Sequence, residues 1–486
     1  MNITRTLAIS IALLFIQACS HPIEIVGQGD VKSASGNRNC SLENFQAADD
    51  VCSKNYVVTA YQETYYATPR AGWRFDHWGN YCSGATPPNY DCSFDIPAAT
   101  VKEAWGLTMP PLQAVFANEL DAYPNDSTLR LNQIQVMGTH NSYHPYPAPE
   151  PMATVVREQY SWYPGLVGDY RHKSLYEQLD SLGVRHIELD VNKDPEGGNF
   201  SDRPLLATIG EDPATGIPDL DLPGLKTFHV PQIDAESTCY LFTNCLAEIK
   251  QWSDEHPGHA PIIIMIEIKD TDYFGTATYL PITPWEAGDY DGLDAEIRSV
   301  FPEEQLITPD KVRGEFATLN EAILTSGWPT LGETRGKVMF TMCNCTSPVP
   351  NQHRLDYEIG HENLEGRVLF PNSAEGNPDS AVIHLESPIT QISEIKRLVA
   401  LGYFIRTRAD ANTVEAVAND TSRRDAAFNS GSQYIATDFP EPSITASPFY
   451  FVQVPGGTPA RCNPINAPAW CRPEDIENPA YLTGNP

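Results

Sequence analysis

The chain of 486 residues carries 32 basic against 63 acidic side chains, a net charge of -31, with 41% hydrophobic and 20% charged residues. Such a balance excludes general disorder, and the length suits a large catalytic core with an accessory module. A field this negative repels nucleic acid and anionic membranes as bulk partners and suits a protein that works outside the cell or holds cations.

Residues 1–18 read as an export signal. Arg5 precedes the apolar run Leu7–Ile16, which is too short to span a bilayer, and no later stretch is long enough either. The ending Ile16-Gln17-Ala18-Cys19 resembles a bacterial lipobox. That resemblance implies lipidation of Cys19 and an outer-membrane or cell-surface lipoprotein; simple secretion is the other reading. Without Cys19, ten cysteines remain in close pairs: Cys40 with Cys52, Cys82 with Cys92, Cys239 with Cys245, Cys343 with Cys345, Cys462 with Cys471. In an oxidising compartment such pairs read as disulfides closing small loops, since the histidine spacing fits no zinc site.

Residues 19–118 read as a small β-rich module, with short aromatic runs and turn residues at close intervals. The string from Gly72 to Gly84, then Cys92 and Leu112–Phe116, resembles one internalin-type B-repeat. Trp73, Phe75 and Trp78 either fill its core or form a ligand platform, with the core favoured. Residues 119–128, polar and proline-containing, read as a linker.

From 129 to 486 strands alternate with helices, the pattern of a parallel α/β sheet. The expected strands are Ile134–Met137, Val184–Val191, Thr227–Val230, Ile262–Lys269, Lys337–Met342, Arg367–Phe370, Tyr403–Ala409 and Tyr434–Asp438. Expected helices include Leu175–Leu182, Leu246–Glu255, Leu293–Val300, Leu319–Ser326, Ile392–Leu401 and Arg423–Ser430, several of them ending at a glycine. Eight such strands predict an α/β fold of the (β/α)8 type; a doubly wound sheet is disfavoured because no glycine-rich loop follows the first strand.

In such a barrel, chemistry sits at the carboxyl ends of the strands. There the sequence places His140-Asn141, Glu188 and Asp190, His229, and Glu267 and Lys269. Period-two geometry puts Glu188 with Asp190, and Glu267 with Lys269, on common faces. Asn141, Glu188, Asp190 and Glu267 offer hard oxygen donors suited to calcium or magnesium, and the two histidines offer groups titrating near neutrality for acid–base work. Each signal alone is more often structural; their convergence points to a metal-dependent site.

The strings T-H-N-S, G-V-R-H-I-E-L-D-V, F-H-V-P, I-E-I-K-D, R-T-R-A-D and T-D-F-P resemble the bacterial calcium-dependent phosphoinositide-specific phospholipase C family, over Leu129 to Cys471. The resemblance implies His140 and His229 as catalytic, Asn141, Glu188, Asp190 and Glu267 as calcium ligands, and Lys269 and Arg408 as substrate contacts. It further implies a monomer acting on a phosphoinositide in a bilayer, with a cyclic inositol phosphate and diacylglycerol as products. In that scheme His229 or a metal-bound base takes the proton, and His140 steadies the phosphorane. A glycerophosphodiester phosphodiesterase lacks support because its His-Arg-Gly motif is replaced by His140-Asn141-Ser142; a surface-binding barrel without catalysis is the alternative of another class. Tyr143, Tyr146, Tyr160, Trp162 and Tyr163 either form an apolar rim or pack the loop. Finally, because the eighth strand of a closed barrel lies beside the first, Asp438 either orients His140 and raises its pKa, keeping it protonated, or caps the turn before Pro440.

Overall fold

Runs of β-branched and aromatic residues, bounded by turn formers, become the strands of a parallel barrel. The computed structural model describes residues 19–82, 91–104, 107–118, 123–145, 150–159, 170–270, 272, 280, 282–343, 352–443 and 448–477. Two compact units divide the chain, 1–122 with 483–486 and 123–482.

In the second unit the barrel strands are β1 (Ile134–Thr139), β2 (His186–Asn192), β3 (Ile262–Lys269), β4 (Val338–Cys343), β5 (Leu369–Pro371), β6 (Val382–His384), β7 (Phe404–Arg408) and β8 (Tyr434–Thr437). One parallel arc runs β1 to β5 and another runs β6 through β8 back to β1. A single Asn372–Val382 bridge joins the arcs. The fold is therefore the expected α/β barrel. Both faces of the strands are covered, which is why Ile262–Ile266 is a continuous apolar run rather than an alternating one.

Helices coat the outside. The helix α1 (Leu175–Ser181) starts at a reciprocal capping box between Ser174 and Glu177. In α2 (Phe242–Glu255) the buried Phe242, Leu246, Ile249 and Trp252 recur at helical spacing, so one stripe faces the strands. Each such side chain contributes roughly 1.5–3 kcal/mol of burial. The later helix α3 (Pro388–Leu401) stops at Gly402, whose φ of 113° puts it in the left-handed region a C-cap requires. Gly138 in β1 has another reason: a Cβ there would meet the His186 ring at 2.2 Å.

One expected strand is absent and one was missed. Thr227–Val230 makes only isolated bridges, Lys226 with Asn192 and Leu241 and Val230 with Asp234, and Pro231 has no N–H to continue a ladder. The segment folds back over the end of β2, so His229 stands on a loop. The missing strand is β6, whose length of three residues gives no periodicity to read.

Two further segments join the ring from outside: Leu306–Ile307 beside β4, and Ala460–Cys462 antiparallel to β1. After the latter, Glu477 is fully buried, ion-paired to Arg185 and accepting from the Ala260 amide at 2.6 Å. Part of the expected linker belongs to this unit, where the Arg335 guanidinium lies 3.5 Å above the Tyr123 ring and its Nε donates to Asp126 at 2.7 Å.

The first unit holds two three-stranded sheets, one of Ile23–Val26, Leu112–Asn118 and Trp73–Gly79, the other of Gly29–Ser33, Tyr61–Pro69 and Cys92–Ile96. Phe75 and Trp78 are buried with Phe116 and so fill its core; Trp73 is half-buried. Cys40–Cys52, Cys82–Cys92, Cys239–Cys245 and Cys462–Cys471 are disulfides. Cys343 is disulfide-bonded too; Cys345 and residues 1–18 lie outside the described residues. Cys19 is buried as a free thiol, 3.5 Å from the Val57 carbonyl.

Candidate active site

The turn after β1 is held by its own short polar residues. Thr139 Oγ1 donates to Ser142 Oγ at 2.6 Å, and Ser142 Oγ accepts the Glu188 amide at 2.8 Å, locking the turn to β2. Asn141 sits at a φ of 48°, a left-handed conformation asparagine tolerates well. Its Nδ2 donates to the Tyr170 hydroxyl at 2.9 Å, leaving Oδ1 buried with no hydrogen-bond partner.

Glu188, Asp190 and Glu267 each offer an oxygen, all within 4.8 Å of one another. The ladder places Asp190 directly opposite Glu267, an arrangement of like charges that costs free energy unless it is compensated. Lys269 supplies the compensation, with Nζ at 2.7 Å from both Asp190 Oδ2 and Glu267 Oε1. Asp190 Oδ2 is thus engaged by the ammonium, while Oδ1 is buried and accepts no hydrogen bond. Glu188 is paired with the buried Arg406, which also holds Glu386 at 2.6 Å. Burial pushes the Glu188 carboxyl up to about 8 against the pull of Arg406, and raises Asp190 against Lys269. Burial acts on Glu267 in the same sense, but Lys269 outweighs it and holds that carboxyl down to about 2. The three carboxylates, with the buried, unpartnered Asn141 Oδ1 on the adjoining turn, are all hard oxygen donors of the kind calcium takes.

Two histidines stand beside this trio, each held through Nδ1 by a buried aspartate. His140 Nδ1 is 2.7 Å from Asp438 Oδ1, and its Nε2 is 3.3 Å from Arg408 Nη1 and 3.6 Å from Glu188 Oε1. Arg408 also donates to Asp438 Oδ2 at 3.1 Å. Since a guanidinium only donates, Nε2 of His140 presents its lone pair and the ring is neutral. Burial, joined by Arg408, lowers its pKa to about 3; Asp438 raises it, as expected from sequence, but does not prevail. The expectation of a protonated His140 is thus corrected. His229 Nδ1 is 2.9 Å from Asp234 Oδ2, and the ring lies close enough to Asp190 and Glu267 to influence both.

Of the residues singled out from sequence for catalysis, Glu188, Asp190, Glu267 and Lys269 meet directly, His140, Arg408 and Asp438 stand beside them with Asn141 next along the turn, and His229 arrives from a loop. Sequence reading missed Arg406, Asp234 and His144. Arg406 was legible in R-T-R, where period two puts it on the face of Arg408; Asp234 and His144 had no comparable signal. Tyr143 is fully buried and belongs to no rim; Tyr146, Tyr160, Trp162 and Tyr163 lie outside the described residues. Exposed instead are Val414 and Val417, on the loop helix after β7, and Phe449, after β8.

Residues 129–464 match the family model of the Ca2+-dependent phosphoinositide phospholipases C. Similar solved structures include a calcium-dependent phosphoinositol-specific phospholipase C from Pseudomonas sp., with 18% identity over 70% of this chain and 98% of that one, at a TM-score of 0.44. Another is a Ca2+-dependent phosphatidylinositol-specific phospholipase C from Streptomyces antibioticus, with 17% identity over 67% of this chain and 99% of that one, at a TM-score of 0.41. No curated protein sequence matches. With well over half of its length in the family model, the chain belongs to the Ca2+-dependent phosphoinositide phospholipase C family of phosphodiesterases.

Proposed function

We propose that this enzyme cleaves phosphatidylinositol-type lipids by acid–base transesterification, releasing diacylglycerol and a cyclic inositol phosphate. The two imidazoles carry this reading: each is fixed through Nδ1 by its own aspartate, one beside Glu188 and the other near Asp190 and Glu267. Calcium, held by Asn141, Glu188, Asp190 and Glu267, would neutralise charge on the phosphoryl oxygen and acidify the attacking hydroxyl. His140, whose Nε2 lone pair faces Arg408, takes the proton of an inositol hydroxyl as that oxygen bonds to phosphorus and Arg408 turns to the phosphoryl group. Sequence left open which histidine is the base. His229 then gives its Nε2 proton to the diacylglycerol oxygen as its bond to phosphorus breaks, so protons and electron pairs balance. Arg408, one guanidinium away from His140, offers positive charge to the phosphoryl group. Exposed Val414, Val417 and Phe449, at 64%, 67% and 76%, support a lipid substrate by offering apolar contact at the barrel mouth.

Product analysis on phosphatidylinositol, glycerophosphoinositol and glycerophosphocholine, with calcium and with chelator, tests the reading. Cyclic inositol phosphate should appear from phosphatidylinositol only when calcium is present. Full activity in chelator, or preference for glycerophosphocholine, would sink it.

Export is part of the same proposal, supported by the disulfides, which form and persist in oxidising compartments. Lipidation of Cys19 requires its strand, Cys19–Ser20, to leave its place, because the sulfur is buried there. We assign the first unit a surface-binding role of the B-repeat kind. Mass spectrometry of the mature N-terminus decides whether a diacylglyceryl group is present, and glycan-array binding of the full chain tests the module.

A further inference from the structure

Asp234 is fully buried, and its two oxygens go to two different histidines. Oδ2 meets His229 Nδ1 at 2.9 Å, and Oδ1 meets Nε2 of His144 at 2.8 Å. An ionised carboxylate only accepts, so both ring nitrogens facing it carry protons. The carboxylate is ionised: burial works against this, but His144 and His229 hold it well below the usual carboxylate range. The two imidazoles differ in setting. His229 is 21% exposed, whereas His144 has no exposure at all. The ring of His144 is stacked on Tyr170, with centroids 4.6 Å apart and planes 18° from parallel. Its backbone is tied on both sides, the amide donating to Asn141 O at 2.9 Å and the carbonyl accepting from His172 N at 2.8 Å. Nothing that size and that polar is needed to fill space beside an aromatic ring; a leucine would pack there without the cost of burying an imidazole.

We propose that His144 is a positioning residue for His229, acting through Asp234. Its Nε2–H, 2.8 Å from Oδ1, holds the rotation of the Asp234 carboxylate from the side opposite His229. With Oδ1 taken, only Oδ2 is left to His229, and this sets the plane of the His229 ring and keeps its Nδ1 protonated. Nε2 of His229 is then the nitrogen that carries the transferred proton. The active site therefore contains two clamps of different build. Asp438 is braced by an arginine that lies beside His140, while Asp234 is braced by a third histidine, fully buried in the turn after β1. The inference rests on His229 acting in proton transfer, as proposed above.

The test uses the full chain, saturating calcium and phosphatidylinositol, with His144→Leu, His144→Gln and His229→Ala measured together. Leucine fills the volume without an N–H, and glutamine restores an N–H near the position of Nε2. His144→Leu should lower kcat by roughly tenfold to a hundredfold, the scale on which supporting partners act, with KM changed less than about threefold. His144→Gln should recover most of the loss. A merely structural histidine would not be rescued by glutamine, so equal impairment of the two variants overturns the inference, as does wild-type kcat in His144→Leu. Should the leucine variant fail to fold, 15N NMR of imidazole-labelled His144→Asn, whose shorter side chain falls short of Asp234, reads the His229 tautomer. A mixture of tautomers is expected, and a single Nδ1–H form counts against the proposal. An inactive His229→Ala beside a fully active His144→Leu refutes the positioning role alone, whereas an active His229→Ala removes the catalytic reading of His229 and this inference with it.

Discussion

An aspartate shared between a histidine and an arginine divides its influence, and Asp438 illustrates the outcome. It lies 2.7 Å from His140 and 3.1 Å from Arg408, so the attraction that raises the imidazole's pKa is partly spent on the guanidinium. What remains to Asp438 is orientation. Asp438→Asn is therefore expected to lower kcat by about a hundredfold or more through a misdirected ring, with little change in KM. His140→Ala and His229→Ala should each lose roughly 10²–10⁴-fold in turnover, the range for a positioned acid or base. Steady-state kinetics on folded variants check all three, and near-normal turnover in either alanine variant returns that histidine to a structural role. At this scale the sequence was informative wherever period-two geometry applied, as for Glu188 with Asp190. It was silent on His144 with Asp234, because a contact across 90 residues leaves no local pattern.

Among the elements, the long buried strands were legible because β3 reads as an uninterrupted apolar run. The segment 227–230 was misread for a related reason: Phe228 and Val230 mimic strand alternation, and only Pro231 argues otherwise. The C-terminal segment was the least legible. Nothing local announces that Glu477 will be buried, yet it pairs with Arg185 just before β2 and accepts the Ala260 amide just before β3. Glu477→Ala leaves a buried guanidinium without its partner, and is expected to destabilise the barrel by about 3–5 kcal/mol. Denaturant unfolding measures this, and a loss below about 1 kcal/mol would mean the segment is dispensable.

For the molecule as a whole, pH and calcium should act on stability through different groups. His259, fully buried between Ser253 and Ala260, has its pKa lowered from 6.5 to about 4, mainly by desolvation. The folded state thus disfavours its proton. The associated stability is complete above pH 6.5 and is lost as pH falls towards 4, on the order of 3 kcal/mol in all. Thermal melts of His259→Gln should show a shallower decline across that window than those of the unaltered chain; parallel declines would exclude His259 as the source. Calcium should raise the melting temperature, by the equivalent of about 2.7 kcal/mol at a hundred times its Kd. Glu188→Gln should blunt that rise. The Lys269 ammonium, seated between Asp190 and Glu267, has a consequence for the order of events in the protein's life. It is a resident counter-ion, so the repelling carboxylates are already reconciled when the chain first folds. The barrel should therefore keep its fold in strong chelator, with calcium adding stability and activity to a structure that Lys269 already holds in register.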